Sequence, residues 1–149
     1  MGASKVPCWT GPPIPLPGDL GKYPYWFKFS ITHIDLQAAA LGNDIELYSM
    51  PAGGLIHGAK LKQSIAFAGA GITAYDLSIG FAAGLESIMP LYDVTAAPAN
   101  DVFAIAQDFD SRNHGAAVSV KVAAVSVGAN LDQSTAGAAD LWLLVSEVL

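Results

Sequence analysis

His33 and Asp35 stand two residues apart in the segment THID. On a strand that spacing puts both side chains on one face, where a carboxylate can orient an imidazole that acts as a base. Nothing supplies the nucleophile. No serine lies in a G-x-S-x-G elbow, and no spacing ties one to this pair. A polar strand end is the stronger explanation, and no catalytic residue is expected.

Three other segments carry residue types that could do chemistry. GAGITA, Gly69 to Ala74, matches the loose dinucleotide fingerprint G-x-G-x-x-A, which needs a helix whose first amides face a pyrophosphate. The residues after it alternate as a strand, so a hairpin turn is expected instead. DFDSRNHG, Asp108 to Gly115, opens like a calcium loop but has Ser119 where such a loop wants a twelfth-position glutamate. His57 and His114 have no ligand partners at metal spacing, and Cys8 is the single cysteine. Neither a metal, nor a cofactor, nor an intrachain disulfide is expected. In YPYWF the alternation sets Trp26 opposite Phe27, so the two rings cannot form one flat sugar-stacking platform.

The elements that position these residues follow from period-two hydrophobicity. In YWFKFSITHID, Phe27, Phe29 and Ile31 point one way and Lys28, Ser30 and Thr32 the other. DIELYSM runs into Pro51 and the turn pair Gly53-Gly54. In the strand that follows, Ala59, Leu61 and Ile65 are expected inside, with Lys60 and Lys62 on a wet face. GITAYDLSIGF sets Tyr75, Leu77, Ile79 and Phe81 against Asp76, Ser78 and Gly80. Weaker strands are expected at Ser87 to Val94 and in DVFAIAQDF. Val118, Val120 and Val122 oppose Ser119 and Lys121, and Leu141, Leu143 and Val145 form the last buried row. A turn or two of helix is expected in DLQAAALG, Asp35 to Gly42, and another in GFAAGLESI. The expected fold is all-β: a single β-sandwich, jelly-roll-like, of about eight strands, with an open five-strand barrel as its rival.

Composition agrees with a single core that buries further surface against partners. The 149 residues are 52% hydrophobic and only 13% charged, against roughly 25% charged in ordinary soluble domains. No apolar run approaches the ~20 residues that span a bilayer, so no membrane partner is expected. The net charge is −6, and seven scattered bases leave no nucleic-acid footprint. The N-terminal residues lack the basic start and apolar core of a secretory leader.

Six of the nine prolines precede Tyr25. Residues 1–24 are therefore expected as an extended, proline-rich N-terminal arm, and residues 25–149 as the sandwich domain. Within VPCWTGPPIPLPGDL, the anchors expected to dock on a partner are Trp9, Pro12, Pro13, Ile14, Pro15 and Leu16. Proline restricts the free chain, so docking it costs less conformational entropy.

ITHIDLQAAALGNDIELYSMPAGGLIHGAKLKQSIAFAGAGI, Ile31 to Ile72, and GANLDQSTAGAADLWLLVS, Gly128 to Ser146, resemble segments of small virion structural proteins of tailed bacteriophages. That resemblance implies a capsid decoration, or cement, protein: a non-enzymatic trimer that binds the major capsid protein on the outer head surface and stabilises the shell. It also implies synthesis in the host cytoplasm. A neck, tail or fibre component is the nearest alternative. A carbohydrate- or receptor-binding sandwich is a second, because fold does not fix function.

Overall fold

The computed structural model describes residues 24–96, 102–105 and 116–147. Among them eight strands form, β1 Tyr25–Thr32, β2 Gly42–Met50, β3 Gly54–Gly69, β4 Ala74–Phe81, β5 Gly84–Asp93, β6 Val102–Ile105, β7 Val118–Val127 and β8 Ser134–Glu147. They make two four-stranded sheets, ordered β1-β8-β3-β6 and β2-β7-β4-β5. Every pairing is antiparallel.

The first strand pairs with the last, β2 with β7, β3 with β6 and β4 with β5. The chain is thus one long hairpin rolled up. Successive strands change sheet at every step except the β4–β5 hairpin. This is a jelly roll, and it excludes the open five-strand barrel.

The rows that alternate in the sequence meet inside. Phe29 faces Leu141, which also faces Leu61, and all three are buried. The second sheet contributes Ile45, Tyr75, Leu77, Ile79, Val120 and Val122 to the same core. Each large apolar side chain so buried stabilises the fold by about 1.5–3 kcal/mol. Phe27, partly buried, stacks on Tyr48 across the two sheets with ring centroids 5.2 Å apart.

Four sequence expectations are corrected by tertiary pairing. Ile65 is 54% exposed. Register shifts on either side of it reset the alternation and bring it opposite Ala138, on the outer face. Gln63 takes an inward position before the shift, and its amide donates to the carbonyls of Val94 and Ala96 at 2.7 and 2.9 Å. Of the turn or two of helix expected in DLQAAALG a single turn forms, and it starts earlier, at His33–Leu36 (α1). In GFAAGLESI no helix forms, since Phe81 pairs with Gly84 across a tight hairpin. Ser78 and Gly80, expected on a wet face, are buried. A Cβ on Gly80 would overlap the backbone of Gly84 and Leu85, so the returning strand packs directly on this glycine.

Candidate interaction surface

Strand β1 ends at Thr32, so His33 and Asp35 sit in the turn α1 and not on a shared strand face. There the Asp35 carboxylate accepts hydrogen bonds from the Thr32 backbone amide and hydroxyl at 2.8 and 2.9 Å. That is helix capping, which stabilises the turn. His33 Nδ1 lies 3.4 Å from the Gly137 carbonyl oxygen. The two side chains serve separate structural contacts.

The glycines of GAGITA make the β3–β4 turn, and a strand follows at Ala74, so no helix N-terminus is offered to a pyrophosphate. His57 lies in a bulge of β3, with Nε2 2.6 Å from the Ser146 hydroxyl. Among the described residues no three His, Cys, Asp or Glu side chains gather as a metal site. Asp108 to Gly115, with His114, lies outside the described residues, as do Cys8 and the arm anchors Trp9, Pro12, Pro13, Ile14, Pro15 and Leu16.

The structure does assemble a surface. On the outer side of the β1-β8-β3 sheet, Lys28 and Lys60 flank Trp142 from either neighbouring strand. Their ammonium groups lie over its ring, 5.4 and 4.7 Å from the centroid, within the range of cation–aromatic attraction. One pair further along, Lys28 contacts Asp140 at 2.9 Å and the Ser30 hydroxyl donates to the same carboxylate at 2.6 Å. Lys62 is the other cross-strand neighbour of Asp140.

Burial pushes the Asp140 carboxyl up. The hydrogen bonds from Ser30 and Lys28, with the charges of Lys28 and Lys62, outweigh it and hold the group below the usual carboxylate range. Trp26, 40% exposed, and Leu144 extend the apolar ground of this face toward the start of β1. Three of the seven basic residues of an acidic chain therefore share one sheet face with a single carboxylate among its described residues.

The opposite outer face carries the other sign. Asp44 and Glu46 on β2 flank Lys121 on β7, which pairs with Asp44. Asp76 and Asp93 stand directly across β4 and β5. Burial, then the charge of Asp93, pushes the Asp76 carboxyl up.

Sequence reasoning placed Lys60 and Lys62 on a wet face but missed Trp142. The available signal was that Asp140 and Trp142 alternate with the buried Leu141 and Leu143. Alternation alone does not say which strand lies alongside.

The described residues thus form an eight-stranded jelly roll whose two sheets carry outer faces of opposite charge. No family model matches the chain, and no curated protein matches it in sequence. Solved structures share the fold. One similar chain comes from the capsid asymmetric unit of cyanophage Pam1, with a TM-score of 0.59 and 14% identity over 94% of this chain and 96% of that one. Another comes from the capsid of Ralstonia phage GP4, also at TM-score 0.59, with 22% identity over 91% of this chain and 89% of that one.

Proposed function

We propose that the chain is a non-enzymatic structural component of a tailed-phage virion, a decoration protein that binds the major capsid protein on the outer head surface as a trimer. The observation that carries this reading is whole-chain correspondence. The jelly roll matches chains of two phage capsid structures over about nine-tenths or more of both partners. The likeness is therefore to a whole small polypeptide, not to a domain lifted from a larger enzyme. A hydrophobic, weakly charged chain that buries further area against copies of itself and a shell fits the same role.

Electron cryo-microscopy of particles carrying the chain tests the location. Density for the sandwich on the outer head surface, at threefold positions, is expected, and density confined to the neck, tail or fibres would overturn the decoration role. Light scattering on the purified protein is expected to give the mass of three copies; a stable monomer at high concentration would overturn the trimer. Deleting residues 2–20 is expected to leave the sandwich folded and to lower its occupancy on heads.

A further inference from the structure

The outer face of the β1-β8-β3 sheet has a definite chemistry. Its ground is apolar, formed by Trp26, Trp142 and Leu144, and its fringe is a set of ammonium donors on Lys28, Lys60 and Lys62. The only carboxylate among its described residues, Asp140, is already engaged by Lys28 and Ser30. Such a face fits a segment that presents apolar rings and carbonyl acceptors and few donors of its own.

The chain itself contains that segment. Residues 6–17, VPCWTGPPIPLP, hold five prolines, each without a backbone N–H, together with Trp9, Ile14 and Leu16. A proline-rich stretch forms no internal backbone hydrogen bonds, so its carbonyls are left to outside donors. It carries no acid and no base, so its capture does not depend on an ion pair. We infer that residues 6–17 of one copy dock on the Lys28–Trp142–Lys60 face of a neighbouring copy.

Chain length brings the face of a neighbouring copy within reach. The sandwich begins at Tyr25, and Lys28 lies three residues into β1, about 10 Å from that point. Residues 1–24, taken at about 3.1 Å per residue, reach about 70 Å. Residues 18–23, GDLGKY, carry two glycines and no proline, so the chain's own face and a neighbour's both lie within that reach, and the neighbour is the occupant that fits the proposed trimer. The contact is heterologous, since the arm of one copy meets the sheet of the next, and three such contacts close a ring. This inference rests on the proposed trimer and names the surface that receives the arm.

Cys8, the single cysteine, lies inside the docking segment and makes a direct test possible on the full-length protein without heads. A second thiol is placed by Lys62→Cys, at an exposed position on the receiving face. A control thiol is placed by Val127→Cys on the opposite sheet, where Val127 is 53% exposed. Under mild oxidation, disulfide-linked pairs of chains are expected to form with Lys62→Cys on the order of a hundredfold faster than with Val127→Cys, the advantage a docked thiol gains in effective concentration. Adding Lys60→Gln and Trp142→Leu to the Lys62→Cys protein is expected to remove most of that advantage.

Bridged single chains would overturn the neighbour as the occupant in favour of the chain's own arm. Rates equal to the Val127→Cys control would overturn the surface itself. Head occupancy, measured separately on the unaltered protein, reports on the virion role whatever the disulfides show.

Discussion

Gly137 on β8 lies flat against the ring of Phe67 on β3, so close that a Cβ on the glycine would overlap the ring atoms. Its φ of +144° is a backbone conformation that L side chains rarely adopt. Phe67 in turn packs against Tyr75 with centroids 4.8 Å apart, which joins the two sheets through the core. Gly137→Ala must therefore move a buried aromatic pair as well as strain the backbone. We expect a loss of about 1–3 kcal/mol of stability, read as a lower midpoint in urea unfolding. An unchanged midpoint would show that Phe67 swings away freely.

Asp35 acts on the fold through Thr32, whose amide and hydroxyl it accepts. Asp35→Ala should cost about 0.5–2 kcal/mol, the usual worth of a lost cap. His33→Ala, by contrast, gives up a contact to the Gly137 carbonyl oxygen at the long distance of 3.4 Å, and should shift the same unfolding curve less. Equal losses from the two substitutions would point to a tighter coupling between them than separate structural contacts allow.

Where a strand keeps an unbroken register, the alternation in the sequence marks its core row. Phe29 and Ile31, then Tyr75, Leu77, Ile79 and Phe81, then Leu141, Leu143 and Val145 all point inward as their spacing requires. Information that no local window contains was not readable. Ile65 turned outward because β3 shifts register against β8 beside it. GFAAGLESI gave up its alanine-driven helical preference to the pairing of Phe81 with Gly84. The charged face was hidden for the same reason, since Ser30 and Asp140 are 110 positions apart and only the closing of the first strand on the last unites them.

The directly opposed Asp76 and Asp93 make a like-charged cross-strand pair, which weakens a sheet. Burial and then Asp93 raise the Asp76 carboxyl, so the folded chain holds that proton more tightly than the unfolded one. The stability linked to this proton is present below the ordinary carboxylate pKa and is lost as pH rises through the raised value. Asp76→Asn should therefore be more stable than the parent at neutral pH by about 0.2–1 kcal/mol, with the gain fading in acid. Thermal unfolding at the two pH values checks it, and a gain that persists undiminished at low pH would exclude the electrostatic origin.

Asp140 behaves in the opposite sense. Although burial pushes its carboxyl up, Ser30, Lys28 and Lys62 together hold it below the usual range, so the folded chain binds this proton less tightly than the unfolded chain. Its contribution is present above the unfolded carboxylate pKa of about 4 and disappears as pH falls through the depressed folded value. Asp140→Asn should lower stability at neutral pH by up to about 1 kcal/mol, the scale of a partly exposed ion pair. The parent and variant should converge once the pH has fallen below the depressed folded value. Added salt should shrink the neutral-pH difference through screening, whereas a difference indifferent to both salt and acid would assign the role of Asp140 to the Ser30 hydrogen bond and not to the lysines.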